Sequence, residues 1–146
     1  DVYKRQELSF DPASRIDRPL PSLMESELIS IIGNLLDNAI EATQRAELPH
    51  EPVEILIQLN ARELMIEVAD RGVGIRPEIR EHIFERGVTT KTRGDHGIGL
   101  YLIERYVTQA GGTIEVADNA PRGAIFTLFI PASGPAHPQE ETHYAS

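Results

Sequence analysis

The sequence predicts an α+β domain in which helices pack on one face of a single mixed, mostly antiparallel sheet. Three observations predict it. The chain has 146 residues and 16.2 kDa, the size of one domain with its own core. Its composition, 40% hydrophobic and 25% charged, is that of a folded chain rather than a disordered one. Helical and alternating apolar spacings follow one another in the order (β)αββααββ, without the βαβ rhythm of a parallel sheet.

Each element has a local reason. A short strand is expected near Glu7–Phe10. A long helix is expected over Ser22–Ala46, with Ser22 as its cap and Glu25 as the capping-box partner. Leu28, Ile31, Ile32, Leu35, Leu36 and Ala39 form its apolar stripe, and Pro49 and Pro52 stop it. Val53, Ile55, Ile57 and Leu59 alternate with Glu54, Leu56 and Gln58. After a turn at Asn60-Ala61-Arg62-Glu63, Leu64, Ile66 and Val68 alternate again, so the pair reads as an antiparallel hairpin. Pro77–Ile83 is a short helix with proline in its first turn. Glu85–His96 is an aperiodic polar loop. Ile98–Ala110 is a helix stopped by Gly111-Gly112. Thr113–Asp118 and Ala124–Ile130 are strands around an Asn119–Gly123 turn. Asp11–Pro21 is a loop with three prolines, residues 1–6 read as a scar or linker, the domain runs over 7–131, and 132–146 reads as a loose, disordered tail.

Composition narrows the function. With 14 basic against 23 acidic residues the formal net charge is −9, which disfavours nucleic acid and anionic lipid as partners. There is no cysteine, so thiol catalysis and zinc thiolate sites are excluded. No apolar run approaches the roughly 20 residues of a membrane span.

Four groups of residues carry candidate chemistry. Asn34, Asp37, Asn38 and Glu41 share one helix face at i, i+3, i+4 and i+7. Their simplest reading is the wet side of an amphipathic helix, yet solvated faces favour Glu, Lys or Arg over the poor helix former asparagine. Two asparagines one turn apart also offer neutral oxygens to a hard cation such as Mg²⁺, which needs few protein ligands beside substrate phosphates. Asp70-Arg71-Gly72-Val73-Gly74-Ile75 follows a strand. Asp70 shares the parity of Leu64, Ile66 and Val68, so its carboxylate points to the covered face, where it can accept from an exocyclic amine such as adenine's. The glycines permit close backbone approach; an Asp-led turn is the plainer alternative. Gly94-Asp95-His96-Gly97-Ile98-Gly99-Leu100 opens a helix whose free amides and dipole suit a polyphosphate. Between these, Arg86, Lys91 and Arg93 make a basic loop in an acidic chain, suited to a lid, with Phe84 anchoring its root. One ligand, Mg²⁺ with ATP, satisfies all four.

These residues resemble the four boxes of sensor histidine kinases. Asn34-Leu-Leu-Asp-Asn38-Ala-Ile-Glu-Ala42 is similar to the N box, Asp70-Arg-Gly-Val-Gly74 to the G1 box, Phe84-Glu-Arg-Gly-Val-Thr-Thr-Lys91 to the F box and Gly97-Ile-Gly99-Leu100 to the G2 box. The wording of the first and last is similar to the citrate/C4-dicarboxylate-sensing subgroup. The resemblance implies a two-layer α/β sandwich, the Bergerat ATP-binding fold. It implies catalytic roles for Asn34 and Asn38, with Mg²⁺ on Asn38. It implies adenine on Asp70, the base lined by Gly72 and Gly74, phosphate on Lys91, and polyphosphate over Gly97, Gly99 and Leu100.

The implied reaction transfers the ATP γ-phosphoryl to a histidine on a dimerisation hairpin of the same or a sister subunit, with a response regulator downstream. The implied setting is a cytoplasmic domain without membrane contact of its own, in a parent of the inner or plasma membrane. Two departures stand out. Many relatives carry Lys and an aromatic at the third and fourth positions after the Mg²⁺ asparagine; here they are Glu41 and Ala42. No phosphoacceptor hairpin is recognisable around His50, His82, His96, His137 or His143. Asn34 stands where related hydrolases carry a water-activating glutamate, so hydrolysis is expected to be slow. The alternative is a nucleotide-gated interaction module, either an anti-sigma-type switch kinase or a pseudokinase.

Overall fold

The computed structural model describes residues 8–10, 20–46, 51–85 and 97–132. Eight elements follow in the expected order: β1 (Leu8–Phe10), α1 (Glu25–Arg45), β2 (Val53–Leu59), β3 (Glu63–Ala69), α2 (Pro77–Arg80), α3 (Gly97–Gln109), β4 (Thr113–Asp118) and β5 (Ala124–Pro131). The strands form one sheet in the order β1-β2-β3-β5-β4. β1 runs parallel to β2; the other three pairings are antiparallel. The sheet is therefore mixed and mostly antiparallel, as expected.

Strict alternation decides which face is covered. Val53 and Ile55 of β2, Leu64, Ile66 and Val68 of β3, and Phe126, Leu128 and Ile130 of β5 are all essentially buried. They meet Ile31, Leu35 and Ala39 of α1 and Leu100, Ile103 and Val107 of α3 in one core. The helices thus form the second layer of a two-layer sandwich. Phe84 packs edge-on against Phe126, with ring centroids 6.3 Å apart, the apolar packing expected of it, while the lid it is expected to root lies outside the described residues.

Three local expectations are corrected. α1 starts after Met24, not at Ser22. The Met24 N–H donates to the Glu27 carboxylate at 3.0 Å, while the buried Ser22 hydroxyl turns away to the Pro131 carbonyl at 3.4 Å. The short helix ends at Arg80 rather than Ile83. Beyond it the chain tightens into turns, with His82 N–H on Ile79 O and Glu85 N–H on His82 O, as Ile83 enters the core. Ala132 does not open a loose tail, because it is buried and its N–H donates to the Arg62 carbonyl at 2.8 Å. The expected scar, the Asp11–Pro21 loop up to residue 19, the loop residues 86–96 and the tail beyond Ala132 lie outside the described residues.

Candidate functional site

β3 delivers Asp70 to one end of the sheet, just past its last paired residue, Ala69. Parity holds: Asp70 is 1% exposed on the helix-covered side. Burial without a counter-charge pushes its carboxyl above the ordinary aspartate range. Main-chain donors pull partway back: the Gly72 N–H at 2.9 Å and the Ala124 N–H at 3.3 Å both reach Oδ1. No described residue donates to Oδ2. The turn thus fixes one carboxylate oxygen and leaves the other for a donor from outside.

The glycines here are steric necessities. A Cβ on Gly72 would stand 2.3 Å from the Ala42 carbonyl carbon and oxygen. That close approach lets the Val73 N–H donate to Ala42 O at 3.1 Å. Ala42 lies in the last turn of α1, where carbonyls lack intrahelical donors, so the Asp70 turn satisfies the helix while docking on it. Gly74 takes φ +76°, the left-handed region that favours glycine.

α1 carries the second wall. Asn38 is 7% exposed, and its side chain makes no hydrogen bond among the described residues. Asn34, Asp37 and Glu41 are half-buried. The face is therefore not the wet side of the helix. That side is occupied instead by Glu25, Ser26, Ile29 and Gly33. The Asn34 amide donates to Ser30 O at 2.8 Å and to Ser30 Oγ at 3.2 Å, so its NH₂ is engaged within its own helix. Its Oδ1 faces α3: a Cβ on Gly99 would meet that oxygen at 2.7 Å.

α1 therefore links the two glycine motifs. Asn34 touches the first turn of α3, and Ala42 touches the Asp70 turn. Eight residues at 1.5 Å each separate these contacts by about 12 Å along the axis, with Asn38 midway. Gly97 and Gly99 form the opening turn of α3 as expected. Leu100 is 4% exposed within the core, so it can offer a ligand only its main chain. Lys91, Arg86 and Arg93 lie outside the described residues. Sequence reasoning misses Asn119, whose Nδ2 donates to the Asp70 carbonyl at 2.8 Å. A contact across 49 residues leaves no local spacing to find.

The described residues hold no cluster of three or more His, Cys, Asp or Glu side chains fit for a metal. The available donor is the Asn38 amide, which suits a hard cation that takes its remaining ligands from water and phosphate. No helix among the described residues is long and apolar enough to cross a membrane.

Comparison with known proteins gives the family and the fold. Residues 24–134 match the family described as histidine kinase-, DNA gyrase B-, and HSP90-like ATPase. The chain is 50% identical over 131 residues to the sensor histidine kinase CitA of Klebsiella pneumoniae, covering 90% of this chain and 24% of that protein. It is 44% identical over 126 residues to the sensor histidine kinase DpiB of Escherichia coli (strain K12), covering 85% of this chain and 23% of the relative. It thus spans about a quarter of these relatives. Among solved structures, full-length ShkA in complex with AMPPNP superposes with a TM-score of 0.67 at 29% identity, over 93% of this chain and 27% of that one. The two-layer sandwich is the expected Bergerat fold, and the chain belongs to the family of histidine kinase-, DNA gyrase B-, and HSP90-like ATPases, similar within it to sensor histidine kinases of the citrate/C4-dicarboxylate group.

Proposed function

We propose that this domain binds ATP with Mg²⁺ and transfers the γ-phosphoryl to a histidine on a separate helical hairpin, as the catalytic domain of a sensor histidine kinase. The observation that carries the reading is the spacing along α1 of Ala42, which the Asp70 turn contacts, Asn38, and Asn34, which the α3 start contacts, each about a turn from the next. Asp70 Oδ2 accepts from the adenine amine, and Gly72 and Gly74 admit the base edge. The helix-start amides at Gly97 and Gly99, which have no intrahelical acceptor, face the polyphosphate with the Leu100 main chain closing the turn behind them, where the helix dipole favours negative charge. Asn38 would hold Mg²⁺, which supplies charge neutralisation at the phosphates when bound. Lys91, in the segment that precedes α3 in sequence, supplies a further cation.

Phosphoryl transfer asks mainly for positioning and charge stabilisation. A neutral imidazole is nucleophilic without help from this chain. Water is not, and the Asn34 amide cannot take its proton. The site therefore favours a histidine acceptor over hydrolysis. The hairpin comes from the same or a sister subunit, a response regulator receives the phosphoryl group next, and the domain works on the cytoplasmic side of a membrane-bound parent.

The test supplies Mg²⁺, γ-labelled ATP and the acceptor hairpin of a citrate-sensing relative. Acid-labile, base-stable label on the hairpin, with little free phosphate when the hairpin is omitted, is expected. Rapid phosphate release without the hairpin, or acid-stable label on a serine, would contradict the reading.

A further inference from the structure

The β4–β5 turn packs on the Asp70 main chain. Asn119 Nδ2 donates to the Asp70 carbonyl at 2.8 Å. Its own Oδ1 accepts from the Ala120 N–H at 2.9 Å, and its N–H donates to Gly123 O at 3.0 Å. Asp70 N–H in turn donates to Ala124 O at 3.0 Å. Arg122 donates to the Arg71 carbonyl at 3.1 Å, and Arg71 to the Ala120 carbonyl at 2.9 Å. Gly123, at φ +113°, lies so close that a Cβ there would stand 2.0 Å from Asp70 O. The Asp70 carbonyl is held by this turn and the Asp70 N–H by Ala124, the first residue of β5.

The carboxylate inherits that restraint. Its Oδ1 is held by the Gly72 and Ala124 amides, and the direction of Oδ2 follows from where the Asp70 backbone sits. We propose that Asn119 is a positioning residue that aims Asp70 Oδ2 and thereby sets the preference of this site for adenine over guanine, an inference that rests on the ATP-site reading above. An ionised carboxylate accepts but does not donate. Adenine presents an amine to it, whereas guanine presents a carbonyl oxygen at the same ring position. A fixed acceptor discriminates between them, because the wrong base leaves two acceptors opposed. A carboxylate free to swing aside discriminates less.

Two substitutions separate aiming from turn stability. Asn119→Ala removes the donor to Asp70 and the acceptor for Ala120. Asn119→Asp keeps the acceptor and replaces the donor with a second oxygen facing the Asp70 carbonyl. Titration calorimetry with MgATP, MgGTP and magnesium tripolyphosphate reads the outcome. We expect Asn119→Ala to lower the ATP-over-GTP affinity ratio about five- to tenfold, the worth of one hydrogen bond. Asn119→Asp should lower it further, and tripolyphosphate affinity should be unchanged in both. An ATP-over-GTP ratio equal to wild type in both variants would overturn the proposal while leaving the ATP site intact. So would parallel loss of tripolyphosphate binding in both, which marks a general structural role. A wild-type chain that does not distinguish ATP from GTP would overturn the ATP-site reading and this proposal together.

Discussion

The two walls of the site are built on opposite terms. Around Asp70, nearly every polar group has a main-chain partner: Val73 N–H on Ala42 O, Asp70 N–H on Ala124 O, two amides on one carboxylate oxygen, and the Asn119 side chain on the Asp70 carbonyl. Along α1, the working groups are side chains with few commitments. Among the described residues, Asn34 is tied only within its own helix and Asn38 makes no side-chain bond. The first wall uses its polar groups for shape. The second keeps them for a ligand. Substitutions that break the close main-chain approach in the first should therefore damage the fold, and substitutions in the second should damage binding.

The sharpest break in that comparison is Gly72→Ala. Its Cβ would enter the space of the Ala42 main chain, which cannot swing aside as a side-chain tip can. Overpacking of this kind costs about 3 kcal/mol, so chemical denaturation should show a large loss of stability. A variant within about 0.5 kcal/mol of wild type, the limit for a featureless surface site, would mean the turn is not docked as described.

Asn38→Ala tests the other wall. We expect Mg²⁺-dependent nucleotide binding to fall at least about tenfold, since loss even of a residue that only supports a metal ligand costs roughly 10–100-fold. The melting temperature should hardly move, because no hydrogen bond to a described residue is lost and alanine favours the helix. Strong destabilisation with binding retained would reverse the roles of the two walls.

Acidification probes the join between them. Burial holds the Asp70 carboxyl above the ordinary aspartate range. For this group the folded state binds its proton more tightly than the unfolded state does. Its contribution to stability is therefore favourable at low pH and is lost as pH rises through the raised value. Ligand binding runs the other way, because Oδ1 is held by the Gly72 and Ala124 amides, so a proton on the carboxyl occupies Oδ2, the oxygen that must accept from the adenine amine. ATP affinity should fall as pH drops through a midpoint above that of an exposed aspartate. The same titration with tripolyphosphate should lack that step. A step shared by both ligands would assign the proton to another group.

The smallest effect is expected from Gly33→Ala. Gly33 is exposed on α1, and a Cβ added there would meet nothing within 4 Å, so the helix should gain about 0.5–1 kcal/mol. A loss instead would reveal a hidden contact on the solvent side.

How much of this is legible in the sequence follows from how local its cause is. Alternation places Asp70 on the covered face, because a two-residue period needs no distant partner. The glycines of the Asp70 turn announce a close approach, although not that the partner is the Ala42 carbonyl. Ser22 misleads, because its hydroxyl goes to Pro131, 109 residues away, leaving Glu27 to close the helix start. Leu100 reads with its glycine neighbours, yet its side chain follows the helical stripe into the core with Ile103 and Val107. Asn119 reads only as a turn residue, since nothing near it in sequence hints at Asp70.

The central claim is that one nucleotide spans both walls. Amide and side-chain chemical shifts followed during titration with ATP and Mg²⁺ test it most directly. The account predicts that Gly72, Gly74, the Asn38 side-chain amide and Gly97 to Leu100 shift together along a single binding curve. Shifts confined to one motif, or curves with different midpoints for the Asp70 turn and the α3 start, would contradict it.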